Sequence, residues 1–214
     1  MKYKLYTSEL ISTFTLIFCG TGAIVINNET NGVVTHAGIA VTFGAVVTAM
    51  AFAFGHISGA HMNPAVTIAL WADKKMNTKD SVLYIFSQIA GALLASFSLF
   101  LLFPSDEYLG STLPSGDPMP SFILEILLTF FLMLGILMTS SGPTAMATPI
   151  VAGLIVMLEA WFAGPITGAS MNPARSLAPA LVSQHTEHLW IYILAPVSGA
   201  LLALLVSKIV NSKK

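Results

Sequence analysis

Long apolar stretches recur along the chain and are separated by short polar segments. Each stretch runs for about 20 residues, the length that one helix needs to cross the hydrocarbon core of a bilayer. A run of that length with few charges predicts a membrane-spanning helix. We therefore predict an all-α membrane protein with six spans: Ser8–Ile26, His36–Phe54, Val82–Leu102, Phe122–Met138, Ala145–Phe162 and Trp190–Val210.

Two further segments, Gly55–Trp71 and Gly164–Val182, are each too short to cross a bilayer alone and have similar sequences. Aligned at an offset of 109, residues 55–70 and 164–179 are identical at nine of sixteen positions. Three predicted spans separate the two copies, and because three is an odd number, the second copy enters the membrane from the opposite face. This is the pattern of an inverted repeat, in which broken helices build a site near the middle of the bilayer.

Each copy contains Asn followed by Pro, a pair that is typical of the start of a helix. Asn63 and Asn172 suit the N-cap, and Pro64 and Pro173 suit the first helical position. A helix that starts there ends after a few turns, before it can cross the membrane. The sequence therefore predicts two re-entrant half-helices.

Glycine-rich strings precede the half-helices, at Gly55–Ala60 and Gly164–Ala169. They predict irregular backbone, which at membrane depth must be buried in protein or line a watery cavity. Half-helices from opposite faces would bring their positive ends together, where the helix dipoles repel cations. The amides of Asn63 and Asn172 would then donate hydrogen bonds to a passing oxygen and interrupt proton transfer along a chain of water. The alternative is that both Asn-Pro pairs only cap helices in a structural protein.

The overall composition excludes several classes of protein. Hydrophobic residues make up 55% of the chain and charged residues 9%, whereas a soluble domain has about 25% charged residues. The net charge of -1 and the lack of basic clusters argue against nucleic acid as a partner. The one cysteine, Cys19, predicts a buried small hydrophobe without a disulfide. We recognise no metal-ligand spacing, nucleophile with a base, or phosphate-binding glycine motif, so we predict no enzyme, no cofactor and no metal.

Basic residues are confined to three places along the chain. Eight of the nine lie before the first span, between the second and third spans, or at the C-terminus. Because short cytoplasmic loops are enriched in Lys and Arg, both termini are predicted to be cytoplasmic, in the inner or plasma membrane. The acidic, proline-containing segment 104–119 predicts an extracellular linker. It divides the chain into a first repeat, 1–103, and a second repeat, 120–214, each with three spans and one half-helix.

Three polar residues are predicted to lie at membrane depth. Arg175, the only arginine, is predicted to bind solute oxygens while repelling cations, or alternatively to pair with a carboxylate that holds the second half-helix. His61 either lines the pore or is a hydrogen-bonded loop histidine. Glu159 is predicted to face a partner helix as a hydrogen-bonded structural acid, because neighbouring helical residues point about 100° apart.

The strings HMNPAV at 61–66 and SMNPARS at 170–176 resemble the paired signature motifs of the aquaporin family. The resemblance covers nearly the whole chain and implies one pore per subunit, a homotetramer in the lipid bilayer, and pore loops braced by Glu9 and Glu125. The pore motifs it implies are Asn63, Pro64, Ala65 and Asn172, Pro173, Ala174. The selectivity constriction it implies is formed by Phe43, Ala160, Ala169 and Arg175.

The string AGPITGASMNPARSLAPALV at 163–182 looks most like the nodulin-26-like branch and its bacterial relatives. Members of that branch pass glycerol or metalloid hydroxides. Strict water channels usually have histidine at the position of Ala160, and alanine there predicts a wider, more apolar constriction. Ser176 stands where glycerol channels usually have aspartate. The resemblance thus implies a channel for water and small uncharged solutes, with a strict water channel, an ion-coupled transporter and a closed structural protein as alternatives.

Overall fold

The computed structural model describes residues 2–211, and over that range the secondary structure is entirely helical. Within these residues six helices are long and apolar enough to cross a membrane, and two short ones begin at the Asn-Pro pairs. The predicted all-α fold with six spans and two half-helices is confirmed. Its helices are α1 (Tyr3–Glu29), α2 (Thr35–Ser58), α3 (Pro64–Ala72), α4 (Thr78–Leu102), α5 (Pro118–Thr139), a 3-10 helix (Gly142–Ala147), α6 (Thr148–Thr167), α7 (Pro173–Ser183) and α8 (Leu189–Val210).

Both ends of the described chain lie at the same face of the bundle, beside the connection between α3 and α4. The Lys2 ammonium is 2.7 Å from the Asp80 carboxylate, and the Lys208 ammonium is 3.2 Å from Asp73. The hydrogen bond to Asp80 raises the pKa of the Lys2 ammonium. We call this side, with Lys2, Lys74, Lys75 and Lys208, the lysine face, and the opposite side, with residues 103–117, the linker face.

The two halves of the chain pack in matching ways, α1 against α4 and α5 against α8. At each crossing a glycine lies against the backbone of the facing helix. A Cβ on Gly91 would be 3.0 Å from the backbone nitrogen of Phe14, and a Cβ on Gly199 would be 3.0 Å from that of Phe130. Small residues permit this close approach of membrane helices.

Helices α2 and α6 are longer than predicted, because the glycine-rich strings are only partly irregular. Both helices continue through the first glycine of the string and end four residues later at a left-handed glycine, Gly59 (φ 87°) and Gly168 (φ 79°). The amide of Gly59 donates to the Gly55 carbonyl at 3.0 Å, and that of Gly168 donates to the Gly164 carbonyl at 2.9 Å. Glycine adopts this terminating conformation without a Cβ clash, so the second glycine of each string ends the helix and the first does not.

Helix α6 also contains Pro165 in its last turn. A proline has no N–H and therefore leaves the carbonyl four residues earlier, that of Trp161, without its helical donor. His36 Nε2 donates to this carbonyl at 2.6 Å. A side chain from α2 thus replaces the missing backbone donor and allows α6 to continue to Thr167.

The predicted fifth span begins at Ala145, inside a 3-10 helix that precedes α6. Residues 142–147 form a 3-10 helix, and α6 starts at Thr148 with Pro149 in its first turn, a position that suits proline. The outer helix surfaces expose large apolar side chains such as Phe86, Leu101 and Phe131, as expected for contact with lipid or another subunit. Cys19 is a free cysteine, partly buried against the apolar core, so it is less buried than predicted.

Candidate functional site

The N-terminal ends of α3 and α7 meet in the interior, and each Asn caps its own half-helix. Asn63 Oδ1 accepts from the Ala65 amide at 2.8 Å, and Asn172 Oδ1 accepts from the Ala174 amide at 3.0 Å. Pro64 and Pro173 occupy the first helical positions. The side-chain oxygens thereby satisfy amides that would otherwise lack partners at each helix start.

The two Asn-Pro-Ala motifs are joined by reciprocal hydrogen bonds. Asn63 Nδ2 donates to the Met171 carbonyl, and Asn172 Nδ2 donates to the Met62 carbonyl, both at 2.8 Å. A side-chain amide has two N–H donors. Each of these hydrogen bonds uses one donor and leaves the second available to another acceptor. Both Asn side chains border the same cavity, which is where the second N–H can meet a solute.

The backbone before each half-helix is held in an unusual conformation. Ala60 and Met62 have φ of 45° and 52°, and the matching residues Ala169 and Met171 have φ of 44° and 54°. Such left-handed conformations cost non-glycine residues about 1–3 kcal/mol each and persist only where the surroundings enforce them. The nearly equal φ values at corresponding positions show that the two copies of the repeat share the same local backbone structure.

Glu9 holds the first of these loops from α1. Its side chain is fully buried; Oε1 accepts from the His61 amide at 2.9 Å and from the Ser58 hydroxyl at 2.8 Å. Oε2 accepts from the Met62 amide at 2.9 Å and from Gln88 Nε2 at 2.8 Å. Four donors thus fix the loop relative to α1 and α4.

Glu125 does the same for the second loop from α5. It is also fully buried; Oε1 accepts from the Thr167 hydroxyl at 2.7 Å and from the Ser170 amide at 2.8 Å. Oε2 accepts from the Met171 amide at 2.8 Å. The two carboxylates occupy equivalent places and hold the backbone that the Asn side chains join.

A cavity of about 480 Å³ runs beside both motifs. Phe43 and Arg175 border it toward the linker face, and Met146 borders it toward the lysine face. Most of its wall is apolar, and the polar side chains include those of the two Asn residues and Arg175. An apolar cavity with a few convergent polar groups is typical of a small-molecule site.

Arg175 is held in place at the end of the cavity. Its Nη1 donates to the Gly110 carbonyl at 2.7 Å, and its Cζ lies 5.1 Å from the centroid of the Phe43 ring. The side chain is 2% exposed, and within residues 2–211 its Nε is buried without a hydrogen-bond partner. Among the described residues its close contacts are thus a backbone carbonyl and an aromatic ring, and it forms no salt bridge with a carboxylate there.

Three of the four residues of the predicted constriction border the cavity: Phe43, Ala169 and Arg175. The fourth, Ala160, is 8% exposed and packs in the same apolar cluster, but its methyl group does not form part of the cavity wall. His61 does border the cavity. Its Nδ1 is also 3.0 Å from the Thr67 hydroxyl, so the two roles considered for it are compatible.

Glu159 differs from the other two buried glutamates. It is 5% exposed, and its Oε2 is buried without a hydrogen-bond partner in the described part of the chain. It lies near enough to Glu125 for the two carboxyl groups to interact electrostatically. The expectation of a hydrogen-bonded structural acid is therefore wrong for this oxygen.

An unpaired buried oxygen predicts an unusual response to mutation. We expect Glu159→Leu to raise the unfolding temperature in detergent, because removing a polar group without a partner removes an uncompensated desolvation cost of about 1–3 kcal/mol. Glu159→Gln, which retains the polarity, is the control and should not stabilise. A lower unfolding temperature for the leucine variant would mean that the carboxyl group has a stabilising partner.

Residues 1–207 match the family described as Major intrinsic protein. The chain is 41% identical to Aquaporin NIP1-1 of Zea mays over 196 residues, covering 90% of this chain and 70% of that protein. The chain belongs to the major intrinsic protein (aquaporin) family. It is also 41% identical to Nodulin-26 of Glycine max over 208 residues, covering 95% of this chain and 76% of that protein.

A solved structure supports the aquaporin fold independently. The aquaglyceroporin from Plasmodium falciparum matches with a TM-score of 0.86 at 23% identity, covering 99% of this chain and 98% of the other. The family match and the plant relatives confirm the predicted resemblance to the aquaporin family and its nodulin-26-like branch. Membership makes this chain a multi-pass membrane protein of a channel family.

Several residues of this aquaporin site were not found from the sequence. Ser58 and Thr167 bind the bracing carboxylates, and they occupy matching positions at the repeat offset of 109, which is a signal that was available. Gln88 donates hydrogen bonds to the Glu9 carboxylate and to the Thr67 hydroxyl. No sequence motif in α4 distinguishes this glutamine as a site residue. Gly110 accepts from Arg175 through its backbone carbonyl. Because every residue has such a carbonyl, the residue type at position 110 gives no sign of this contact.

Proposed function

We propose that this aquaporin-family protein is a passive channel for water and small uncharged solutes, such as glycerol or metalloid hydroxides, that excludes ions and protons. One observation carries the proposal: the reciprocally bonded Asn63 and Asn172 border the same cavity as Phe43 and Arg175. Solutes in that cavity meet hydrogen-bond donors on a mostly apolar wall. No step of chemistry is required of these groups.

Exclusion of cations follows from the electrostatics of the wall. The N-termini of α3 and α7 each present the positive end of a helix dipole to the cavity, and the Arg175 guanidinium adds a full positive charge at one end. A cation would also lose its hydration shell without a carboxylate to replace it, since the oxygens of Glu9 and Glu125 are occupied by donors. A neutral solute loses much less hydration free energy than a cation when it enters the cavity.

Exclusion of protons follows from the free N–H donors of the Asn pair. A water molecule that accepts from both amides has its oxygen lone pairs occupied, and it then donates to its neighbours on either side. It cannot accept a proton from either neighbour, so transfer along the water chain is interrupted at the centre.

The width of the constriction favours solutes larger than water. Two of its four positions, Ala160 and Ala169, have only a methyl side chain, and Ala160 does not contribute to the cavity wall. Phe43 and Arg175 then provide one apolar surface and one fork of donors, which together suit a polyol or a neutral hydroxide.

An ion-coupled transporter is less well supported. Such a carrier needs an ionisable group at its coupling site, and both Glu9 and Glu125 are engaged in bracing the loops. Glu159 has an oxygen without a hydrogen-bond partner among residues 2–211, but it does not border the cavity.

The assembly and orientation are part of the same proposal. The large exposed apolar side chains on the outer helices support contact with lipid and with further subunits in a homotetramer. The lysine face is proposed to be cytoplasmic by the positive-inside rule, which puts both termini there, in the inner or plasma membrane. The halves 1–103 and 120–214, with the extracellular linker 104–119, are proposed as the two repeats.

Stopped-flow light scattering on vesicles containing the purified protein tests the function. Water, glycerol, urea and arsenite are compared side by side, with protein-free vesicles as the control. We expect rapid flux of water and of at least one neutral solute, with a low activation energy and no dependence on ion gradients. Water flux alone would favour a strict water channel, saturation with ion dependence would favour a carrier, and no flux would contradict the proposal.

A further inference from the structure

Gly20 lies on α1 under the aromatic ring of the constriction. It is buried one turn beyond Leu16, a residue that borders the cavity. A Cβ added at Gly20 would come within 2.6 Å of Cδ1 and 2.7 Å of Cζ of Phe43, and closer still to Cε1. The Phe43 ring therefore occupies the space that any side chain at position 20 would need.

The backbone itself does not require glycine at this position. Gly20 is in the middle of α1 and is not among the glycines with positive φ, and alanine is the better helix former. The three nearest atoms to the added Cβ all belong to the Phe43 ring, so the ring lies closer to this position than any other helix does. The ring is the feature that excludes a methyl group.

The ring has little freedom to move elsewhere. Phe43 is 7% exposed within the apolar cluster, and it contacts the Arg175 guanidinium, which the Gly110 carbonyl holds. The open space beside the ring is the cavity. A ring displaced from α1 would therefore move into the path of the solute or against the arginine.

We propose that Gly20 is a specificity-determining positioning residue: the absence of a side chain lets Phe43 lie back against α1 and sets the width of the constriction. The inference rests on the proposed function, because width discriminates only among neutral solutes that already enter the pore. The class affected is uncharged molecules wider than water, such as polyols. Water itself needs less width and is less sensitive to the position of the ring.

The chain provides a matched control on the same helix. A Cβ at Gly22, two residues along α1, would approach only Leu99 Cδ2, at 3.4 Å, an ordinary van der Waals contact. Gly22→Ala thus makes the same chemical change without touching the ring. Phe43→Val removes every ring atom that a Cβ at position 20 would meet, so the double variant Gly20→Ala/Phe43→Val isolates the contact.

The test measures water and glycerol permeability of vesicles containing equal amounts of each protein. We expect Gly20→Ala to lower glycerol permeability about tenfold, the scale of one methyl group in a tight pocket, and water permeability less than about twofold. Gly22→Ala should leave both unchanged. In the Phe43→Val background, Gly20→Ala should have little further effect, because the two changes act through one contact.

The outcomes separate this inference from the proposed function. If the natural chain passes no solute, the proposed function fails before position 20 is considered. If it passes glycerol and Gly20→Ala does so equally well, or lowers water and glycerol flux alike, the inference is overturned. Should Gly20→Ala fail to assemble, recovery of assembly and glycerol flux in the double variant supports the contact, and failure of both variants overturns it.

Discussion

Replacing Glu125 with leucine is expected to cause the largest loss of stability of any single change considered. The side chains have similar volume, but leucine accepts no hydrogen bond, so the buried amides of Ser170 and Met171 lose their acceptor. An unsatisfied buried donor costs about 1–3 kcal/mol, and this change creates two in addition to the Thr167 hydroxyl. Met171 would also lose the bond that supports its positive φ.

The measurement is thermal unfolding of the detergent-solubilised protein, followed by size-exclusion chromatography and water permeability. We expect a marked fall in unfolding temperature and in the fraction that elutes as a single species. Glu125→Gln, which keeps one acceptor oxygen, should lie between the natural chain and the leucine variant, and Glu187→Gln on the surface should have no effect. An unchanged unfolding temperature for Glu125→Leu would show that the second loop is held by other contacts.

The Ala160→His variant is expected to change selectivity more than any other substitution. Ala160 does not border the cavity but packs in the same apolar cluster as Phe43 and Ala169, so we expect an imidazole at this position to extend into the cavity. Solutes wider than water would be excluded, while water would still pass and could hydrogen-bond to the ring. We expect glycerol permeability to fall about 100-fold, within the range of steric discrimination in tight pockets, and water permeability to fall only a few fold.

The same vesicle assay checks this result. Ala160→Ser serves as the control, because a hydroxyl adds polarity without an imidazole's bulk and should retain most of the glycerol flux. Equal loss of water and glycerol in the histidine variant would mean that position 160 does not set the width, and the wide-constriction interpretation would be wrong.

The inverted repeat could be predicted because its signals are local and occur twice. Asn followed by Pro at positions 63 and 172 marks two helix starts by capping chemistry alone, and the odd number of spans between them fixes their opposite directions. The extent of α6 could not be predicted in this way, because Gly164 and Pro165 both disfavour a helix locally. The compensating donor is His36, which is 125 residues away in sequence.

The bracing carboxylates were predicted from resemblance, but their bonding pattern required the fold. Glu9 and Glu125 each accept from two consecutive amides of a loop in a different part of the chain, and no spacing rule indicates such a pairing. Gly20 illustrates the same limit. A glycine in an apolar helix has many explanations, and only the position of the Phe43 ring distinguishes among them.

The crosswise bonds between the two motifs have a consequence for biogenesis. Asn63 donates to a carbonyl of the second half, and Asn172 donates to a carbonyl of the first half. Neither hydrogen bond can therefore form until both halves are in the bilayer. During translation the early half must be inserted with its asparagine amide still awaiting an acceptor more than 100 residues downstream. The two motifs can therefore join only after the second half-helix has been made, which places their crosswise bonds late in folding.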